Sequence, residues 1–125
     1  MIRREVMVHV RRGDAFLVLR RTDYRYWHAV AGGVEPGEDW HAAAVRELQE
    51  ETGLIAVDVR EIGAFEYEPA DWESNGGDVR AFAVDAPPEW EPTLNDEHDQ
   101  YRWCTLDEAY SLLYWPEPKE LLRKA

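Results

Sequence analysis

Residues 32–54 read GGVEPGEDWHAAAVRELQEETGL, and the punctuation inside this stretch decides how the chain around it can fold. Gly32-Gly33 and Pro36-Gly37 are turn formers, so they predict a shaped loop that breaks a short strand over Tyr26-Trp27-His28-Ala29-Val30. Asp39 stands where an N-cap would, and Gly53 where a C-terminal glycine would end a helix. Together they predict one helix from about Trp40 to Thr52. On that helix Glu47, Glu50 and Glu51 are spaced i, i+3 and i+4, so their carboxylates emerge within about 100° of arc. Ala44, Val45 and Leu48 occupy the adjoining sector and must face the core. The acidic sector therefore lies beside the core, at the edge of a groove.

Like charges at i and i+4 destabilise a helix by a few tenths of a kcal/mol, and a third nearby adds to the penalty. A hard divalent cation reverses it. Mg²⁺ takes oxygen ligands, keeps several waters and shares substrate phosphates, which suits a few carboxylates with no His or Cys. Three glutamates on a helix also describe a solvated acidic stripe. A double glycine, a Pro-Gly turn and a capped helix start just ahead of them favour a built site. Arg46 is spaced to pair with Glu50 at i+4.

Outward from this stretch, Val6–Val10 and Ala15–Leu19 alternate as two strands joined across Gly13-Asp14, a β-hairpin. Further strand candidates lie in Ile55–Glu68 and Asp78–Asp85, separated by a polar, glycine-containing loop from Asp71 to Gly77. Tyr101–Cys104 reads as a last strand. Thr105 to Glu108 fits a capping box opening a helix through about Leu113, and a short helix is placed after Pro116. No repeat or long linker divides the chain, so 1–125 is read as one α+β domain, with strands mostly paired to their neighbours in sequence.

With 26 acidic against 14 basic residues the formal charge is −12, which repels a polyanion over most of the surface and argues against long nucleic acid as a partner. An acidic surface also simply confers solubility. No apolar run approaches the ~20 residues of a membrane helix, and Met1–Glu5 lacks the apolar stretch of a signal peptide, so a cytoplasmic protein without membrane contact is expected. The single Cys104 cannot form an internal disulfide. His9, His28, His41 and His98 are scattered and show no zinc spacing.

The stretch from Gly32 to Leu54 resembles the Nudix box: Gly, five residues, Glu, seven residues, then Arg-Glu-aliphatic-x-Glu-Glu-x-Gly-aliphatic. Gly32, Glu38, Arg46, Glu47, Leu48, Glu50, Glu51, Gly53 and Leu54 match every fixed position. The resemblance implies the Nudix fold, an α/β/α sandwich around a mixed β-sheet, and hydrolysis of a nucleoside diphosphate linked to another group. It implies that Glu47, Glu50 and Glu51 hold Mg²⁺, with Mn²⁺ as a substitute, that Arg46 orients a glutamate, and that Glu38 supports the site from behind. The carbonyl of Ala31 would add a ligand. The family commonly has glycine there, which asks whether the backbone can still approach a metal.

Asn95–Trp103 is similar to the Glu-His…Tyr-x-Trp segment of the dihydroneopterin triphosphate/dATP pyrophosphohydrolase and diadenosine tetraphosphate hydrolase groups. This similarity implies that Glu97 reaches the metals as a fourth carboxylate, delivered from a loop. The Tyr26-Trp27 pair resembles an aromatic position those groups carry, although a core aromatic beside a strand fits equally. Trp27, Arg25, Arg80 and Trp72, the last on a mobile loop, are the tentative substrate contacts, with Arg20 and Arg21 as further candidate phosphate ligands.

By this resemblance the reaction is substitution at phosphorus by water, with Glu47 as general base. A nucleoside triphosphate-type substrate is expected. A dinucleoside polyphosphate or nucleotide sugar is the alternative, and a homodimer is left open. A non-catalytic nucleotide-binding module would normally have lost box carboxylates, and none is missing. An isopentenyl diphosphate isomerase would need a catalytic cysteine in a longer chain, whereas Cys104 sits in a predicted strand.

Overall fold

The computed structural model describes residues 3–56, 58–67, 77–114 and 120–125. Within them the chain forms β1 (Arg3–Arg12), β2 (Ala15–Arg21), β3 (Trp27–His28), β4 (Val30–Gly33), α1 (Trp40–Thr52), β5 (Arg60–Tyr67), β6 (Gly77–Asp85), β7 (His98–Cys104) and α2 (Leu106–Leu112). Residues 120–122 add a single turn of helix, and the start of the segment after Pro116 lies outside the described residues.

All seven strands belong to one mixed sheet, ordered β3-β2-β1-β6-β5, with β4 also on β1 and β7 on β2. The expected hairpin exists, but β1 and β2 pair only where they meet, Arg11 with Phe16 and Arg12 with Ala15. The rest of β1 is claimed by distant partners. β6 runs parallel along its length from Arg3↔Gly77 to Arg11↔Asp85, and β4 pairs antiparallel from Glu5↔Gly33 to Val8↔Val30. β2 likewise takes β7 along its other edge. Pairing with sequence neighbours accounts for only three of the six strand pairs, β1–β2, β2–β3 and β5–β6, because the central strand is buried on both faces and is best satisfied by strands brought from afar.

The single strand expected over Tyr26–Val30 is two strands interrupted at Ala29, and Gly32-Gly33 do not break the second but complete it. β1 runs past the end of β2 and needs a partner there. Glycines at the end of β4 can pair with it while admitting a close neighbour on one side.

Strand alternation divides the core. Val6, Val8, Val10, Leu17, Leu19, Phe82 and Val84 pack with Ala43, Ala44 and Leu48 of α1. Their alternates, Phe16 and Val18 with Cys104, pack against Ala109 and Leu113 beside α2. Met7 joins Ala29, Val79 and Ala81. Helices therefore cover both faces of the sheet. Leu48 is fully buried, a burial that contributes about 2 kcal/mol and fixes the rotation of α1 on the sheet.

The caps of α1 are those read from the sequence. Asp39 accepts from the Ala42 N–H at 2.7 Å, and Gly53, in left-handed conformation with φ 81°, donates its N–H to the Gln49 carbonyl at 2.8 Å. α2 carries the expected capping box between Thr105 and Glu108.

Candidate active site

Glu35-Pro36-Gly37-Glu38 closes a turn with Gly37 at φ 80°, and the Glu38 N–H donates to the Glu35 carbonyl at 3.0 Å. The turn aims the Glu38 carboxylate at α1. There it takes a bidentate pair from Arg46, Nε to Oε2 at 2.9 Å and Nη2 to Oε1 at 3.0 Å. Arg46, with the Glu35 amide in support, holds the Glu38 carboxyl down at about 2. The same guanidinium donates to the Gly33 carbonyl at 2.8 Å, to Glu47 Oε1 at 2.8 Å and to Glu50 Oε2 at 3.3 Å. Arg46 therefore ties the loop, the end of β4 and two acidic side chains of α1 into one unit.

The three helix glutamates differ in burial. Glu50 is exposed, Glu47 is 8 % exposed and Glu51 only 1 %. Glu47 and Glu51 are hydrogen-bonded to each other, and burial raises both carboxyls. For Glu51, burial comes first and the Glu47 contact second, with the charges of Glu47 and Glu97 adding, which carries it up to about 9. Glu51 Oε1 also accepts the Ala31 N–H at 3.3 Å. Among the described residues no three acidic, His or Cys side chains lie close enough to enclose an ion, since Glu50 is drawn aside by Arg46.

The glutamates meet β4 at two adjacent residues with opposite requirements. Ala31 packs its methyl with the Met7 and Ala29 cluster, so alanine in place of the family's usual glycine does not obstruct the helix side. Gly32 faces α1, and a side chain there would collide with the Glu47 carboxylate.

Glu97 is exposed in the loop before β7, and its charge acts on Glu51, on Arg21 and on His98. The loop is firmly tied. Thr22 donates its N–H to the Glu97 carbonyl and its hydroxyl to the Asp96 carbonyl, both at 2.9 Å. The Thr93 N–H reaches the Thr52 carbonyl at the end of α1 at 2.8 Å. Sequence reading gave no sign of Thr22.

The tentative substrate residues fare unevenly. Trp27 is half-buried against the Phe16, Val18 and Leu113 cluster, with Arg102 at 5.9 Å from its ring centroid, the place of a core aromatic. Arg20 and Arg21 are bound bidentately to Asp99 and Asp23, so neither is an uncommitted phosphate ligand. Arg80 lies 4.5 Å from the ring centroid of Trp40, with Arg4 at 4.9 Å from the same centroid. Arg25 is exposed in a left-handed turn, φ 59°, and forms no ion pair with a described residue. Trp72 and its loop from Asp71 lie outside the described residues, apart from Gly77, which opens β6.

The histidines are not all scattered. His9 and His98 are buried, and both act on His28, which burial above all pushes down to about 3. His98 also places Nδ1 3.9 Å from Glu51 Oε1. Sequence reading began the last strand at Tyr101 and gave no sign that His98, which opens β7, is buried.

A capped helix presenting an Arg-organised row of glutamates against a glycine-edged strand, beside a mixed sheet, defines the class. The NUDIX domain model matches residues 1–125, and the chain belongs to the Nudix family. Bis(5′-nucleosyl)-tetraphosphatase (asymmetrical) of Sus scrofa is 34 % identical over 112 residues, 87 % of this chain and 76 % of that protein. Octanoyltransferase of Myxococcus xanthus is 34 % identical over 117 residues, 87 % of this chain, and the chain spans only 31 % of that protein's length. Among solved structures, a C. elegans Ap4A hydrolase binary complex superposes with a TM-score of 0.85 at 25 % identity, covering 98 % of this chain and 94 % of that one.

Proposed function

We propose that this chain is a Mg²⁺-dependent pyrophosphohydrolase that cleaves a diphosphate linkage in a nucleoside triphosphate-type substrate. The observation that carries the proposal is the buried Glu47–Glu51 pair, pressed against Gly32 and backed by the Arg46–Glu38 ion pair. Two carboxyls raised together by burial are an unstable arrangement for a structural element, and a cation that replaced their shared proton would relieve it. The donor set fits a hard divalent ion: carboxylates of Glu47, Glu50, Glu51 and Glu97 with the Ala31 carbonyl, and neither thiolate nor imidazole required. Mn²⁺ fits the same set.

When bound, the cation would neutralise phosphate oxygens and acidify the attacking water. The chain's own groups do the rest. Glu47 is assigned as the acceptor of the water's proton, and the Arg46 contact to its Oε1 holds that carboxylate beside Gly32 at the end of β4. Glu38 keeps Arg46 in place, and through it the spacing between β4 and α1. Glu97 adds negative charge from the β7 side, supplying a ligand from a direction the helix cannot reach. The exposed Arg25 is assigned as a phosphate contact: its charge acts on Asp99, and among the described residues no ion pair holds its guanidinium.

A second reading, a dinucleoside polyphosphate as substrate, is favoured by the relationship to a protein named bis(5′-nucleosyl)-tetraphosphatase. Purified protein with Mg²⁺ or Mn²⁺ is to be incubated with nucleoside triphosphates, dinucleoside tetraphosphates and nucleotide sugars, with both products resolved and Glu47→Gln as the blank. Release of pyrophosphate and a nucleoside monophosphate is expected. Nucleotide binding without any cleavage would make the chain a binding module instead.

A further inference from the structure

We propose that His98 is a positioning residue for the carboxylate cluster: the N–H at its Nδ1 holds Glu51 in the orientation that binds the cation. The proposal rests on the metal-site reading above. β7 opens at His98, opposite Arg21 of β2, and this register turns the ring to the α1 side of the sheet, towards Glu51. The ring is 5 % exposed, and its buried Nδ1 has no hydrogen-bond partner. Glu51 Oε1 stands 3.9 Å away, too far for a hydrogen bond and near enough for a small rotation of ring or carboxylate to close.

Glu51 in turn is short of donors. Its Oε1 takes only a long bond from the Ala31 N–H, 3.3 Å, and its other hydrogen bond is to Glu47, an acid like itself. Neither contact fixes the orientation of the Glu51 carboxylate firmly. A buried donor without an acceptor and a buried acceptor held by one long N–H bond face each other, and pairing them satisfies both. Such outer partners typically set ligand orientation and metal affinity together.

The test compares wild type with His98→Asn, His98→Gln and His98→Phe in the full chain. Mn²⁺ binding is titrated calorimetrically without nucleotide, and the melting temperature is taken without metal. Asn carries its amide nitrogen near the position of Nδ1, Gln carries it near Nε2, and Phe keeps the ring without a donor. Gln and Phe are expected to weaken Mn²⁺ binding about 10- to 100-fold, with Asn within about threefold of wild type. Turnover at saturating Mn²⁺ should recover more than turnover at limiting Mn²⁺. Wild-type affinity in His98→Phe overturns the proposal, and so does a loss in His98→Asn as large as in His98→Phe, which would indicate a packing role. If wild type itself takes up no Mn²⁺, the carboxylate metal site falls, and this inference with it.

Discussion

The carboxylate of Glu47 rests on the backbone of Gly32, in the space that any side chain at position 32 would occupy. Gly32 is not among the residues of positive φ, so alanine is compatible with its backbone, and the conflict is with the flexible end of one side chain. Gly32→Ala should therefore fold, with a melting temperature within about 5 °C of wild type, while displacing Glu47 by an ångström or more. Such a displacement should cut turnover by about 10²-fold. Assay and melting curve on the same preparation decide it, and turnover within twofold of wild type would remove Glu47 from the chemistry.

Glu51→Gln should abolish most turnover and leave the fold intact. It replaces a buried acid by a neutral group of the same shape and ends the competition between two carboxyls for one proton. The metal-free variant should melt above metal-free wild type at pH 8, and Mg²⁺ should no longer stabilise it. Retained stabilisation by Mg²⁺ would show that Glu51 is not a ligand.

The same residue gives the metal-free protein a distinctive pH profile. An unfolded glutamate titrates near 4.3, roughly, whereas the folded carboxyl holds its proton up to about 9. The folded chain thus binds more protons than the unfolded one between these values, so this contribution is complete below pH ~4 and is lost as pH rises towards 9. Glu38, shifted the other way, loses its contribution only as pH falls below ~4, outside this window. His28 and His98, both held below the ordinary histidine value, act the opposite way up to about pH 6.5, so melting temperatures in EDTA should fall from pH 7 to 9, and saturating Mg²⁺ should flatten that fall, because the cation takes the proton's place. A flat profile in EDTA would contradict the raised carboxyl.

Glu97 and Glu91 lie in the same acidic loop and should respond differently. Glu97→Gln should lower turnover severely and raise the Mg²⁺ requirement with little change in melting temperature. From sequence alone Glu91 serves as an inert control, but the structure gives it work. It accepts from Arg12 at 2.9 Å and from the Trp103 indole at 2.8 Å, latching the loop to the sheet. Glu91→Gln should consequently lower the melting temperature while sparing the Mg²⁺ requirement. Exposed Asp96, whose backbone carbonyl alone is bonded among the described residues, is the better inert control. Equal and small effects at Glu97 and Asp96 would remove Glu97 from the metal site.

The amino-acid sequence by itself determined α1, from the Asp39 cap to Gly53, and the face on which Glu47, Glu50 and Glu51 emerge. Helix periodicity and capping act over a few residues and need no distant partner. It offered the Arg46–Glu50 pair at i+4 as well, and the box spacing identified the family, whereas the bidentate Arg46–Glu38 contact came only with the folded turn. Only the tertiary structure decided which two of the three glutamates are buried, that a side chain at 32 would meet the Glu47 carboxylate while position 31 accepts alanine, and that Arg20 and Arg21 are spent on Asp99 and Asp23. It alone set Trp27 half-buried against the Phe16 and Leu113 cluster and placed His98 beside Glu51. Each of these depends on strands far apart in the chain coming into register, β1 between β4 and β6 and β2 beside β7. A register is set by the burial of both faces at once, which no local stretch of residues contains.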